Sequence, residues 1–303
     1  MNSKLSQVAT VKAYHLSGRL CQRIDKKSNV ALQDWLTWFE VIGYTIQSDS
    51  DIRKEWVEES SDFRGILRDR LYKALKQINS KVSADVLQKA ISQIVGIQSD
   101  NRNIFESNKI FHQYLTEGID IVYRDNDQIV SEKVWLIDPS NLLNNDWLVT
   151  YSENPIERRL IRCWDTLVFI NGLPLALIVC TDTSSRYTTL KQVYQKFQAD
   201  KQQNPKWLAY NEFLAIACGG RARIGTLTSD WEEFQPWRTV DGESFSHKEE
   251  TELEILIQGI FDKRRFTELL KHFIIFERNG TIINKQLRCY SFCTVPHPKV
   301  IGL

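Results

Sequence analysis

The sequence predicts an α/β protein whose central sheet lies between an N-terminal and a C-terminal layer of helices. Three observations indicate this class. Apolar residues recur at helical spacing up to Leu115, the pattern changes to alternation after Gly118, and helical spacing returns in the last third of the chain. The chain has 303 residues, of which 42% are hydrophobic and 25% charged, and this composition excludes a disordered or low-complexity protein.

Residues 1–100 are predicted to form the N-terminal helical layer. Within residues 31–44, apolar side chains share one helical face, and Gly43 marks the end of the helix. Two further amphipathic helices are predicted around residues 67–78 and 86–94. The residues on these three apolar faces are Leu32, Trp35, Leu36, Phe39, Ile42, Leu67, Leu71, Ala74, Ile78, Val86, Leu87, Ala90, Ile91 and Ile94.

Residues 101–245 are predicted to form the α/β core. A helix over residues 102–116 leads into a hairpin of residues 119–124 and 129–137, and residues 147–151 indicate a further strand. The clearest pair of strands comprises residues 165–170 and 173–179, joined by the turn signal Asn171-Gly172. Because both strands are almost wholly apolar, we expect both faces of this sheet to be covered.

The remaining elements complete the core and close the chain. Apolar spacing over residues 190–197 predicts a helix on one face of the sheet, and residues 213–218 and 221–227 indicate another hairpin. Residues 246–303 are predicted to contain two C-terminal helices, broken near Asp262-Lys263, and a tail. Because we find no internal repeat and no long linker, we expect the three parts to form one compact unit.

The overall composition constrains the compartment and the partners. Lys and Arg number 39 and Asp and Glu 38, so a net charge of +1 provides no global basic field. No run reaches the roughly 18 apolar residues of a membrane helix, and the start lacks a signal-peptide core, so we expect a cytoplasmic protein without a membrane partner. The six cysteines are spread along the chain and are interpreted as reduced thiols, and Cys289, Cys293 and His297 lack the geometry of structural zinc.

Two stretches of opposite charge cancel within this total. Residues 40–62 hold seven carboxylates against two bases, a local excess of minus five. Residues 186–223 hold seven bases against two acids, a local excess of plus five. The bases are Arg186, Lys191, Lys196, Lys201, Lys206, Arg221 and Arg223. They form a candidate surface for a phosphate backbone without sequence readout, and ordinary exposed helix positions are an equally weighted interpretation.

Asp165 stands at the predicted start of a strand that returns through a tight hairpin, which is the layout of metal-dependent nuclease sites. Such a site needs an acid on the returning strand and a lysine two residues on, because residues two apart share a face of the sheet. A three-residue loop would place Asp165 opposite Val179, with Thr181 at the lysine position, and a two-residue loop would place it opposite Ile178. Neither register brings Asp165 to an acid. In a relocated site, Asp182 would supply the missing acid and Lys191 or Lys196 the missing ammonium.

Three stretches of the sequence resemble the nuclease region at the N terminus of the type I restriction enzyme motor subunit. They are FHQYLTEGIDIVYR (residues 111–124), DTLVFINGLPLALI (165–178) and NEFLAIACGGRARIGTLTSDWEEFQPWRTVDGE (211–243), in the family's order within a similarity over about 31–278. The resemblance implies a restriction-endonuclease-like core with a mixed central sheet, and a role in cleaving DNA of foreign modification status. The family's chain continues into an ATP-driven translocase, so we expect a nuclease domain truncated before the motor, and without a Walker A motif we expect no ATP site.

The sequence departs from this family at the site itself. The family reads Pro-Asp on the first strand and Glu-x-Lys on the second, and here Asp165 is kept while Val179 and Thr181 replace the Glu and the Lys. The following helix has Val193 and Phe197 at the positions of the family's Gln-x-x-x-Tyr. A helical glutamate of the family falls on Leu32. Valine cannot ligate Mg²⁺ and threonine supplies no ammonium, so two of three chemical groups are missing.

The sequence therefore favours a relative of the nuclease domain that is not itself an active enzyme. We expect a DNA-binding or complex-docking module linked to restriction-modification, with DNA bound without sequence specificity, restriction-modification subunits as further partners, and no cofactor. The alternative is an active Mg²⁺-dependent DNA endonuclease with a relocated site at Asp165 and Asp182. A third hypothesis is a pure protein-interaction module that occupies the nuclease's place in an assembly.

Overall fold

The computed structural model describes residues 30–52, 65–97, 103–153, 156–158, 161–181, 189–203, 206–241, 250–279 and 282–287. Among the described residues, one N-terminal helix precedes the first strand and four follow it. They are α1 (Val30–Val41), α2 (Asp49–Ile52), α3 (Arg68–Ile78), α4 (Ala84–Gly96) and α5 (Ile104–Glu117). Ser83 caps α4 by accepting a hydrogen bond from the Val86 N–H, and Asn103 caps α5 in the same way through the Phe105 N–H. Gly118, at φ +77°, ends α5 as predicted.

Within the described ranges, the central sheet has seven strands and is mixed. Its strands are β1 (Thr45–Ser48), β4 (Trp147–Tyr151), β5 (Ile156–Arg158), β6 (Ile161–Ile170), β7 (Leu173–Thr181), β8 (Phe213–Cys218) and β9 (Arg221–Gly225). The order is β1-β4-β6-β7-β8-β9, with β5 paired to β6. The pairs β1–β4 and β7–β8 are parallel and the others are antiparallel.

Two separate hairpins, three further α-helices and three short 3₁₀ helices complete the regular structure of the described residues. The strands β2 (Ile119–Asp125) and β3 (Gln128–Val134) form one two-stranded sheet, and β10 (Ile274–Asn279) and β11 (Ile282–Leu287) form the other. Helix α6 (Leu190–Gln203) follows β7, and α7 (Glu252–Ile260) and α8 (Lys263–His272) precede β10. Asp262 caps α8, so the break predicted near Asp262-Lys263 is confirmed.

Apolar side chains cover both faces of the central sheet, as the uninterrupted apolar strands predict. All nine residues of β7 are buried. On one face, Val168 and Ile178 belong to a cluster that also contains Phe39 of α1 and Phe261 and Phe266 near the C terminus. On the other face, a second cluster joins the sheet to α6. The predicted α/β class, with a mixed sheet between N- and C-terminal helices, is confirmed and is compatible with a restriction-endonuclease-like core.

Some element boundaries differ from those that the sequence predicts. Strand β6 begins at Ile161, so Asp165 lies inside this strand instead of at its start. Strand β3 ends at Val134, before the predicted end at residue 137. Strands β1, β5, β10 and β11 were not predicted, because short or polar strands carry little hydrophobic alternation. No helix of the described residues is long and apolar enough to cross a membrane.

Candidate active site

The register of the β6–β7 hairpin determines what lies opposite Asp165. The turn has two residues, Asn171 and Gly172, with positive φ angles of 55° and 76°. A two-residue turn by itself would pair Asp165 with Ile178. The partners shift between Val168 and Phe169, so that Leu175 is an extra residue on β7 and Asp165 lies opposite Val179.

The two positions that the resemblance assigns to the family's acid and lysine are therefore on the face of Asp165. Val179 is directly opposite it, and Thr181 follows two residues later on the same face of β7. All three side chains are buried, with 5% of Asp165, 1% of Val179 and 7% of Thr181 exposed. The Thr181 hydroxyl lies 3.5 Å from the Ala217 carbonyl oxygen as a hydrogen-bond donor. The structure thus brings the predicted site positions together, with a single carboxylate among them.

Helix α6 packs apolar side chains against this face. Val193 and Phe197, which the resemblance assigns to the family's Gln and Tyr, are 0% and 1% exposed and share one hydrophobic cluster with Val179. Leu167 of β6 and Ile216 of β8 belong to the same cluster. The resemblance implies polar groups here that would bind a metal ion and water. The protein instead packs aliphatic and aromatic side chains at these positions, and their burial stabilises the fold.

The donor set at this position does not fit Mg²⁺. The ion takes carboxylate and other oxygen ligands in near-octahedral geometry, and valine offers none. Within the parts of the chain that the structure describes, no group of three or more His, Cys, Asp or Glu side chains could hold a metal ion. Asp182, the partner in the relocated-site alternative, lies outside the described residues, and so does Arg186. For Leu32 only the backbone, in α1, is described.

The predicted basic residues that are described lie on α6 and β9, which pack together. Lys191 and Arg221 are exposed, and Lys196 is partly buried. The Lys201 ammonium donates to the Leu227 carbonyl at 2.8 Å, and burial lowers its pKa while the charge of Asp230 raises it. We call Lys191, Lys196, Lys201, Arg221 and Arg223 the basic surface. The backbone of Lys206 lies in a short 3₁₀ helix, Lys206–Tyr210, and nothing further is described for its side chain.

Arg223 is the member of the basic surface with the most specific contacts. Its guanidinium lies 4.7 Å from the centre of the Trp231 ring, and Nη1 donates to the Phe234 carbonyl at 3.0 Å. Tyr194 of α6 lies beside the same indole, with ring centres 5.7 Å apart. Lys201 and Arg223 of the basic surface therefore donate hydrogen bonds to backbone carbonyl groups of the protein itself.

Acidic residues also lie beside the basic surface. Asp230, Glu232 and Glu233 flank Trp231, and burial together with the charges of Asp230 and Glu232 raises the pKa of Tyr194. Extending the sequence count from residue 223 to 233 adds these three acids and no base, so plus five falls to plus two. A charge count that ends at Arg223 leaves out these three acids, and the cancellation is therefore not visible in the basic stretch alone.

The acidic stretch of residues 40–62 also reaches the neighbourhood of Asp165. Asp49 begins α2 at the end of β1, and its Oδ1 accepts a hydrogen bond from the Glu153 N–H at 3.4 Å. One residue earlier, the Ser152 N–H donates to the Asp165 carbonyl at 3.0 Å. The candidate site therefore lies between an acidic edge and the basic surface.

A buried polar cluster at the other end of the sheet was missed by sequence reasoning. Its centre is Glu212, which precedes β8 and whose N–H donates to the Leu175 carbonyl at 2.6 Å. In the sequence it counted only as an acid within the basic stretch. Its partners, His112 and Lys285, are 100 and 73 residues away, so no local pattern joins them.

Comparisons with known protein sequences agree with the resemblance that the sequence blocks indicate. The family model described as "Type I restriction enzyme R protein N terminus" matches residues 30–233. The putative type I restriction enzyme MjaIXP endonuclease subunit of Methanocaldococcus jannaschii is 28% identical over 277 residues, covering 84% of this chain and 26% of the relative. The type I restriction enzyme HindI endonuclease subunit of Haemophilus influenzae is 27% identical over 233 residues, covering 74% and 22%. The chain thus spans about a quarter of the length of these curated relatives.

Proposed function

The chain belongs to the family of type I restriction enzyme R protein N termini, and from this premise we propose that it is a non-catalytic relative of the nuclease domain. In this proposal it acts as a DNA-binding or complex-docking module linked to restriction-modification. The observation that carries the loss of catalysis is the pairing of Asp165 with Val179. A carboxylate is needed at that position to share a metal ion with Asp165.

The packing around Val179 supports the same conclusion. The side chain is 1% exposed and lies in one cluster with Val193 and Phe197, both from α6. A metal ion and its attacking water need polar ligands and space on this face, and the cluster provides hydrocarbon there. Thr181 supplies a hydroxyl in place of the ammonium that would stabilise the charge of a pentavalent phosphate.

The binding role rests on the basic surface. Lys191 and Arg221 are exposed on α6 and β9, next to the former site. Such side chains attract phosphates without reading bases, which agrees with DNA bound without sequence specificity. The acidic residues Asp230, Glu232 and Glu233 beside this surface limit the attraction, so docking on restriction-modification subunits remains part of the proposal.

A plasmid-nicking assay tests the loss of catalysis. The purified chain and Asp165→Ala are incubated with supercoiled plasmid and Mg²⁺ or Mn²⁺. We expect no nicking by either protein above the buffer background, because one carboxylate does not assemble a metal site. Nicking by the wild type that disappears in a folded Asp165→Ala protein would establish instead the relocated site at Asp165 and Asp182.

Restoring the family's donor groups provides a separate test of the register. Val179→Glu combined with Thr181→Lys returns these groups to the face of Asp165. Val179→Gln with Thr181→Lys is the control that lacks the added carboxylate. Without metal, we expect the Glu variant to have a lower Tm than the Gln control, because it buries a carboxylate charge. We expect Mg²⁺ to restore part of this difference in Tm. A Tm that responds to Mg²⁺ equally in both variants would contradict the assigned register.

A further inference from the structure

Glu212 lies at the centre of a polar cluster that is fully enclosed by the protein. Its side chain is 0% exposed and that of Lys285 is 1% exposed. The Lys285 Nζ lies 2.5 Å from Glu212 Oε2, and the His112 Nδ1 lies 3.0 Å from the same oxygen. The pair joins the loop before β8 to strand β11, and His112 adds helix α5.

The Lys285 ammonium is surrounded by oxygen acceptors. Besides Glu212 Oε2, it donates to Asn108 Oδ1 at 2.8 Å and to the Asn211 carbonyl oxygen at 3.3 Å. The Asn108 amide nitrogen donates to the carbonyls of Ala209 and Asn211, both at 2.9 Å, which fixes the amide oxygen toward the ammonium. All three protons of a primary ammonium therefore have an acceptor. We call Asn108, Asn211 and Glu212 the ammonium socket.

The backbone of the same lysine is also held. Its N–H donates to Thr228 Oγ1 at 2.7 Å, and its carbonyl oxygen accepts hydrogen bonds from the hydroxyls of Thr226 and Thr228 at 2.5 and 2.7 Å. Lys285 thus brings both its side chain and its peptide groups to the core.

The β10–β11 hairpin is otherwise a separate unit. Its two strands pair with each other and, among the described residues, not with the central sheet. The hairpin adds apolar contacts through Ile274, which is 7% exposed, and Phe276, whose ring centre lies 5.2 Å from that of His112. By contrast, β7 is bonded on both sides by β6 and β8. Local opening follows such differences in attachment.

We propose that Lys285 is a latch whose ammonium, seated in the ammonium socket, fastens the β10–β11 hairpin to the core, so that the hairpin is released separately from the central sheet when the ion pair is lost. Among the described residues, the titratable groups that face Glu212 are Lys285 from β11 and His112 from α5. Removing Lys285 leaves the carboxylate buried without its ammonium, which disfavours the closed hairpin strongly. A primary alkylammonium is the chemical class that fits the empty socket of such a variant, and release of the hairpin is a conformational device beyond the proposed binding role.

Hydrogen exchange of Lys285→Ala, followed by mass spectrometry, tests the latch. We expect exchange in β10 and β11 to rise about 100-fold or more, while β7 and β8 keep their protection. Lys271→Ala, at an exposed position of α8, is the matched control and leaves the hairpin unchanged. Unchanged hairpin exchange in Lys285→Ala, or equal loss in the hairpin and the sheet, would overturn the proposal.

Chemical rescue and acid provide two further readouts. The n-propylammonium ion replaces the atoms that Lys285→Ala removes, and we expect it to restore hairpin protection, whereas tetramethylammonium at the same concentration does not. If the variant does not fold, the wild type is examined as the pH is lowered far enough to protonate Glu212. The hairpin then loses protection before β7 and β8 if the latch holds, and simultaneous loss refutes it.

Discussion

Asp165 and Glu212 are buried carboxylates at opposite ends of the same sheet, and their neighbours give them different roles. Asp165 lies opposite Val179, without the second acid of a metal site. Glu212 lies against an ammonium and an imidazole. Burial opposes ionisation of Glu212, but the charges and hydrogen bonds of Lys285 and His112 hold its pKa below the ordinary value. At the scale of single residues, the groups that face Glu212 stabilise its charged form inside the protein.

The lowered pKa of Glu212 predicts how stability depends on pH. A carboxyl whose pKa is lower in the folded state adds stability above its unfolded pKa of about 4.3 and loses it as the pH falls through its folded pKa. We expect Glu212→Gln to cost about 3 kcal/mol at pH 7, and this cost to shrink below about pH 4. Urea denaturation of both proteins from neutral to acid pH measures it. Glu268→Gln, at an exposed position of α8, is the control, and a cost of Glu212→Gln that is independent of pH would contradict the assignment.

The β6–β7 hairpin is the element on which the candidate site depends. Its Asn171-Gly172 turn was predicted from the sequence, and the positive φ angles explain the choice of residues. The turn also docks on α3, because the Leu67 N–H donates to the Gly172 carbonyl at 2.9 Å. The extra residue Leu175 then sets the register that was left open between Val179 and Ile178.

Gly172→Ala is expected to destabilise the protein by about 2–4 kcal/mol, because the position combines positive φ with close packing. A Cβ there would lie 2.5 Å from the Leu67 carbonyl oxygen and 3.0 Å from the Leu71 nitrogen. Gly96→Ala is the control, since a Cβ at the end of α4 meets no heavy atom within 4 Å. The free energy of unfolding in urea compares the two variants. A loss for Gly172→Ala no larger than that for Gly96→Ala would show that the turn tolerates a side chain.

At the scale of the whole molecule, the near-neutral charge separates into regions. The candidate site at Asp165 lies between the acidic edge with Asp49 and Glu153 and the basic surface on α6 and β9, and Asp230, Glu232 and Glu233 lie beside that basic surface. We therefore expect this protein to attract a phosphate backbone weakly and in a salt-dependent way, in contrast to the strong attraction by a highly basic protein.

Duplex DNA affinity as a function of salt tests the basic surface. We expect the protein to bind duplex DNA at low salt and to lose affinity steeply as the salt concentration rises. A plot of the logarithm of the binding constant against the logarithm of the salt concentration then has a slope of about −0.9 for each phosphate neutralised. Lys191→Glu with Arg221→Glu is expected to weaken binding. The control, Lys73→Glu with Lys76→Glu on exposed positions of α3, changes the net charge equally and leaves affinity nearly unchanged. If the wild type has no affinity at low salt, the DNA-binding role is excluded and complex docking remains.

The sequence by itself determined the α/β class, most of the helices and the central hairpin. These features follow from short-range patterns, since periodicity and turn residues act over a few neighbours along the chain. Only the tertiary structure decided that Asp165 meets Val179 and that Glu212 binds a lysine 73 residues away. A bulge and a buried ion pair each depend on segments that meet only when the chain folds, and local sequence patterns therefore do not determine them.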